Sequence, residues 1–288
     1  MHIYARTASR FSAALIVALC SLGMTARAQV TGVPLFFTNS YQQTGPGTTT
    51  YNGSSFDARI FETNPGDVVT ATLTYPGPGS PGTFTQASYS TTILEYGLNE
   101  PTMTALQTAF PFGTYTVNGS GGTSGPGSVN VDYTQNAFAS NVPELTPLSY
   151  NALQGLDSSQ SFTFNFNADA PVPASNDNLV FVNIFDATTG APAFGDNFQP
   201  STTTSEFLPA NTLAPNTSYN LQVVFSNRIS SSSGSIDTTL GFDQATITAF
   251  TTAPVPEVSS VVSLGLLLAL GLGTAGVSTR RRKIQTAH

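Results

Sequence analysis

Alternation of apolar and polar residues, the mark of a strand with one buried face, recurs along most of the chain. Asp57 and Arg59 fall between Phe56, Ala58 and Ile60. The pattern is clearest where Val69, Ala71, Leu73 and Tyr75 alternate with Thr70, Thr72 and Thr74. Phe36, Phe37 and Tyr41 predict an opening strand before the turn Gly45-Pro46-Gly47, and Asn64-Pro65-Gly66-Asp67 predicts a second turn. Pro76 to Gly82 cannot continue a ladder, because its prolines lack the amide donor, and reads as an exposed loop. Met103, Leu106 and Phe110 lie at helical spacing and predict one short helix from Pro101 to Ala109. Phe112 to Val117 and Ser128 to Tyr133 predict paired strands across a Gly-rich connection, with Val129, Val131 and Tyr133 on one face.

Periodicity fades between Gln135 and Gln160, which places a domain boundary near Asp157. It restarts with Phe162, Phe164 and Phe166. Leu179 to Phe185 is apolar on both faces apart from Asn183, as a strand in mid-sheet requires, and Ile247 to Thr252 predicts the closing strand. The expected fold class is all-β. Two antiparallel β-sandwich domains, 29–157 and 158–253, stand between a signal peptide at 1–28 and a C-terminal transmembrane helix within 254–288.

The run Leu213-Ala214-Pro215-Asn216-Thr217-Ser218-Tyr219 leads into alternating Leu221, Val223 and Phe225. It resembles the corner and following strand of fibronectin type III and bacterial Ig-like domains, over roughly 161–252. That resemblance implies a tyrosine corner built from Leu213, Pro215, Thr217 and Tyr219, the Tyr219 hydroxyl tying its strand to the preceding corner. The Trp that many Ig-like domains bury is missing, since the chain has none.

Both ends carry addresses. Arg6 and Arg10 precede an apolar stretch from Phe11 to Met24, and Ala26-Arg27-Ala28 forms an A-x-A cleavage pattern before Gln29. Lipoprotein processing at Cys20 fits less well, because bulky Leu19 stands where such signals carry a small residue. At the other end Val258 to Val277 are 20 uncharged residues, about 30 Å of helix, followed by Arg280, Arg281, Arg282 and Lys283. Those cations hold that end in the cytoplasm and leave the body outside. Val255-Pro256-Glu257, the short apolar run and the basic terminus together resemble the PEP-CTERM sorting signal of Gram-negative bacteria, although Val258 replaces the usual second proline. The resemblance implies an exosortase-type processing enzyme as partner and passage through the inner membrane. The expected destination is the cell surface or an extracellular matrix rich in polysaccharide.

Composition narrows the body's chemistry. Cys20, His2, His288 and Lys283 all lie in the two ends, so residues 29–256 hold no Cys, His or Lys. That excludes Ser-His-Asp and Cys-His nucleophile systems, zinc held by His or Cys, and disulfides in the body. Fifteen carboxylates face only Arg59 and Arg228, a formal charge of −13 over 29–256, which repels nucleic acid. Asp186, Asp196 and Glu206 flank a Gly/Pro-rich loop and are the candidates for carboxylate-pair hydrolysis, read as edge and loop charges. Asn176-Asp177-Asn178 and the Asp237/Asp243 pair are oxygen-rich but lack calcium-loop spacing. No catalytic, cofactor or metal residue is therefore assigned. Asn52, Asn118 and Asn216 head N-x-S/T acceptor triplets, frequent by chance in a chain rich in Thr, Ser and Asn. The expectation is a non-enzymatic structural or adhesive protein of the surface or matrix, with a carbohydrate-binding module as the alternative.

If the tail is a sorting signal, the Pro256→Ala/Glu257→Ala double variant stays membrane-bound with its tail in the native host. The unchanged protein loses both ends and leaves the inner membrane. Intact mass and fractionation read the difference, and identical processing of the two forms rules the signal out.

Overall fold

The computed structural model describes residues 30–122, 127–233 and 236–254. The signal peptide with Ala26, Ala28 and Gln29 lies outside the described residues. So do Val255, Pro256, Glu257, the span 258–277 and the basic run Arg280 to Lys283. Among the described residues no helix is long and apolar enough to cross a membrane.

Strands dominate. In chain order they are β1 (Val30–Gly45), β2 (Thr48–Glu62), β3 (Thr70–Thr74), β4 (Gly82–Thr83), β5 (Thr85–Gln86), β6 (Ile93–Glu100), β7 (Gly113–Ser120) and β8 (Gly127–Tyr133). The second half adds β9 (Phe162–Asn165), β10 (Asp177–Asp186), β11 (Pro192–Pro200), β12 (Ser205–Leu208), β13 (Ser218–Ser233) and β14 (Ile236–Thr251). Helix α1 (Met103–Ala109) is the expected one, capped by Thr102, whose hydroxyl accepts the Ala105 amide at 3.1 Å. Helix α2 (Pro147–Leu153) falls where periodicity had faded. Its signal is local, Thr146 as cap and Pro147 in the first turn.

An eight-stranded sheet runs in the order β11-β10-β13-β14-β1-β2-β6-β5. Here the expectation of purely antiparallel sandwiches is corrected. β1 and β14 pair in parallel, from Gly32 opposite Asp237 to Gln43 opposite Thr248. A parallel pair needs a crossover, and the whole intervening chain serves as one. The same pairing joins the two expected halves in one sheet, so Asp157 marks no break between sheets.

Apolar residues do fall into two clusters, both on one face of this long sheet. The first includes Leu35, Phe37, Phe56, Ile60, Leu240 and Phe242, packed with residues of β3, β7, β8 and α1. β4-β3-β7-β8 form the opposing four-stranded sheet. The second includes Val180, Val182, Leu221, Val223, Phe225 and Phe250, packed with Phe164, Phe166 and Leu153. The clusters change over between Ala137 and Ala139, and β14 serves both.

Between them the inward positions turn polar. Gln43, Asn227, Gln244, Thr246 and Thr248 are all buried there. Gln43 fastens the passing linker: its Nε2 donates to Leu145 O at 3.1 Å and its Oε1 accepts the Leu145 amide at 2.9 Å. Gln244 Nε2 donates to Ala139 O at 3.2 Å. Side-chain amides thus supply the pairing that a crossing backbone segment cannot find in a ladder.

One predicted core position is displaced. Val69 is 65% exposed, while Val68 is buried. The nearly buried Glu62 carboxylate accepts the Val68 amide at 2.5 Å and draws that residue inward, so the alternation starts only at Ala71.

Phe242 stacks with Phe37 at 6.0 Å and meets Phe138 edge-on at 5.3 Å. Phe242→Ala is expected to cost about 3–5 kcal/mol in urea unfolding, whereas Val69→Ala stays within about 0.5 kcal/mol. Equal effects at the two positions would contradict this account of the core.

Candidate functional site

The opposite face of the long sheet carries the body's two cations. Because side chains alternate, the residues that sit between core positions all point there. They are Phe36 and Thr38 on β1, Ser55, Asp57 and Arg59 on β2, Asp243 and Ala245 on β14, Gln222, Val224 and Arg228 on β13, and Phe181, Asn183 and Phe185 on β10. With Tyr89 from the loop before β6 they line a groove of about 840 Å³.

Phe36 organises its middle. The Arg59 and Arg228 guanidinium carbons lie 5.8 and 5.7 Å from its ring centroid. Its ring lies over Gly241, where a Cβ would fall inside the ring's van der Waals envelope. Arg228 is further flanked by Phe181 at 5.2 Å and Phe198 at 5.9 Å. Phe198 is 68% exposed and has φ 64°, the left-handed region that L-residues avoid. The β10–β11 register slips there, between Val180 opposite Gln199 and Val182 opposite Asp196. Such a bulge re-aims a side chain, here an aromatic ring set beside Arg228 and edge-on to Phe181 at 5.3 Å.

The two arginines differ in partners. Arg59 pairs with Asp57 at 2.5 Å. Among the described residues Arg228 has no ion-pair partner; its Nε donates to Ser226 Oγ at 3.2 Å. At one rim Tyr89 is 61% exposed and donates to Glu95 Oε2 at 2.9 Å. Burial pushes the Asp57 carboxyl up, against the pull of Arg59. Burial also pushes Asp243 up to about 6, against its Ser226 hydrogen bond and the two arginines. Asp243 Oδ1 is shut from solvent without a partner. The groove therefore offers aromatic planes, planar donors, carboxylate and amide acceptors, and hydroxyls. It contains no nucleophile of the Cys or His kind.

The carboxylates singled out in the sequence stand elsewhere. Asp186 accepts the Thr188 and Thr189 amides at 2.9 and 2.8 Å, which holds it below its usual range at an exposed turn. Asp196 accepts from Gln199 at 2.5 Å. Burial raises the Glu206 carboxyl, and the charge of Asp196 adds to the rise. Glu206 thus feels the charge of Asp196, while Asp186 is committed to its turn. Asn176 bonds both the Ser230 carbonyl and amide, at 3.0 and 2.9 Å, continuing the β10–β13 ladder with its side chain. Asp237 and Asp243 are six residues apart on one strand, roughly 20 Å, and share no site. Asn52, Asn118 and Asn216 are exposed.

At the corner before β13 the Tyr219 hydroxyl accepts the Ala214 amide at 2.8 Å. Leu213 and Tyr219 are buried, and Thr217 Oγ1 donates to Pro215 O at 3.0 Å. These contacts brace the corner and line no chemistry. The groove residues on strands, other than Arg59 and Arg228, had one legible signal, their common phase opposite the core positions of each strand; Tyr89, in a loop, had none.

No protein-family model matches the chain, and no curated protein matches it. Among solved structures it is similar to the FN1–FN3 domains of chicken CNTN1, at 10% identity over 79% of this chain and 67% of that one, with a TM-score of 0.22. A DUF4785 family protein from Legionella pneumophila matches at 13% identity, 65% and 49% coverage and a TM-score of 0.20. Trypsin-activated alpha-2-macroglobulin from Escherichia coli matches at 10% identity, covering 75% of this chain and 16% of that one, with a TM-score of 0.20. At these scores no argument passes from the neighbours to this chain, and its all-β character rests on its own sheets.

Burial also raises Asp169, on the covered side of the sheet, to about 6. Asp243 and Asp169 therefore keep protons in the folded chain that the unfolded chain loses near pH 4. Stability is lost as pH rises from about 4 to 6 and does not return above it. The melting temperature in EDTA is expected to be higher at pH 5 than at pH 7.5 by roughly 3–8 °C. Asp243→Asn should raise the value at pH 7.5 and narrow the gap; an unchanged gap refutes the assignment.

Proposed function

We propose that this chain is an exported, non-enzymatic β-protein of the cell surface or extracellular matrix, and that it binds carbohydrate in the groove on its outer sheet face. The observation that carries the reading is the convergence of both body arginines with Phe36, Phe181, Asp57 and Asp243. A sugar ring presents an apolar C–H face and a rim of hydroxyls. The groove pairs aromatic planes with fixed donors and acceptors in the same alternation. Its volume lies within the range of small-ligand sites. A peptide added as a further strand would use a sheet edge instead, and these groups occupy a sheet face.

Export rests on the two terminal addresses, with an exosortase-type enzyme and the membrane as transient partners. An extracellular location also suits a −13 body that needs no disulfide. The structural or adhesive role follows from a body whose polar groups hold rather than react.

A glycan array with the body, residues 29–256, is expected to give signal for a subset of polysaccharides. Tyr89→Ala, at the exposed rim, and Phe198→Ala, which removes the exposed ring beside Arg228, should each weaken that binding about fivefold to a hundredfold, on the scale of a lost aromatic contact. Binding unaffected by either change, or no glycan signal at all, would remove the groove from the function.

A further inference from the structure

Strand register fixes where the charged groups of the groove stand. Arg228, Gly241, Phe36 and Asp57 form one row across β13, β14, β1 and β2. Ser226, Asp243, Thr38 and Ser55 form the next row of the same face. Such rows lie about 7 Å apart, on strands about 4.8 Å apart. The charges in them are not matched alike. Arg59 is spent on Asp57 in an ion pair. Asp243 is hydrogen-bonded to Ser226, and among the described residues no carboxylate lies within ion-pair distance of Arg228.

Arg228 is nonetheless held in place. Its Nε donates to Ser226 Oγ at 3.2 Å, which lays the guanidinium along β13 toward the row that holds Asp243. Phe36, Phe181 and Phe198 stand 5.7, 5.2 and 5.9 Å from its central carbon, and the side chain is half-buried among them. Its two Nη groups make no hydrogen bond to another described residue, so that side of the donor fork is left for a ligand. A neutral sugar laid over it would cover a cation and supply no counter-charge, which costs affinity. A planar carboxylate instead matches the fork with two parallel N–H···O bonds, and a half-buried setting strengthens them relative to water. Farther across the sheet Thr38 and Ser55 offer hydroxyls about 10 and 14 Å from Ser226, the span of an oligosaccharide rather than of a single ring.

Given a carbohydrate ligand in the groove, as proposed above, we infer that this ligand is an acidic glycan and that Arg228 binds the carboxylate of one uronic-acid residue. The formal charge of −13 on the body does not forbid it. Charges spread over the surface are screened beyond about 8 Å at physiological ionic strength, whereas the Arg228 fork acts in contact. Selectivity for acid over neutral sugar then rests on one side chain, and the aromatic rings around it serve acidic and neutral sugars alike.

The test is binding of the purified full-length chain, in a sugar-free detergent and about 0.15 M NaCl, to a panel of immobilised uronate polysaccharides. Each stands beside its carboxyl-reduced form, which keeps the ring and the hydroxyls. At least one acidic polysaccharide is expected to bind roughly 10- to 100-fold more tightly than its reduced form, on the scale of hydrogen bonds to a charged group. Arg228→Gln should bring the acidic form down to the affinity of the reduced one. If that variant does not fold, Arg228→Lys, which keeps the charge but loses the fork, should narrow the preference at least threefold. Reduced forms that bind as tightly as the acidic ones would overturn the acidic ligand and leave a neutral glycan in the groove. A preference that survives the changes at Arg228 would overturn the role of that residue, and a sulfated glycan bound ahead of every uronate would overturn the carboxylate. Binding to neither acidic nor neutral glycans would remove the carbohydrate reading itself.

Discussion

One non-local pairing, β1 against β14 in parallel, holds this structure together. Antiparallel hairpins explain the neighbours β1–β2 and β13–β14, and each would form within a short stretch of chain. Neither hairpin alone would join residues near 35 to residues near 240. The β1–β14 register does so, and it places Phe37, Phe56, Tyr133 and Phe242 in one aromatic cluster. That cluster repays the closure of a loop of some two hundred residues, whose entropic cost grows only logarithmically with length.

Once the long sheet exists, its two faces take different fates. The small sheets and both helices cover one face, in two apolar blocks with the polar seam between. Among the described residues no layer packs on the other face, yet Ser226, Val224 and Ala245 there are buried. Arginine and phenylalanine side chains lie down across the strands and do the covering themselves. The groove is thus a consequence of leaving one face of a wide sheet without a partner sheet. Scarcity of charge sharpens it, because a body with two cations has placed both at one point.

Much of this was legible from residues in order. Phe56, Ala58 and Ile60, the Val129–Tyr133 alternation, and Tyr219 through Phe225 all point inward as their period requires. Thr102 and Met103 start the expected helix within two residues. What pattern alone did not supply was contact between distant strands. Alternation says which face of a strand is buried, but not which strand lies beside it. The joining of the two halves, and the gathering of Asp57, Arg59, Arg228 and Asp243, are facts of pairing. Val69 shows a subtler limit: a single buried carboxylate, Glu62, shifted the phase at a strand entrance. The corner before β13 was legible for the opposite reason, because all its contacts fall within a few residues of Tyr219.

The position of β14 links the groove to the proposed role at a surface. It lies inside the sheet with β13 on one side and β1 on the other, and it leads directly to Pro254. Tension on a tail beyond Pro254 would act along β14, against ladders that run nearly its full length on both edges. Those hydrogen bonds lie across the strand, so tension along it loads them together in shear instead of opening them one by one. Asp243 and Ala245, on the same strand, sit in the groove. A ligand held there would thus be joined to the tail through the most extensively paired strand of the fold. The small sheets, which lie outside the β13-β14-β1 ladders, would stay outside the line of load. On the proposed reading, in which the chain holds a ligand at a surface, the shortest path from site to attachment is also the stiffest.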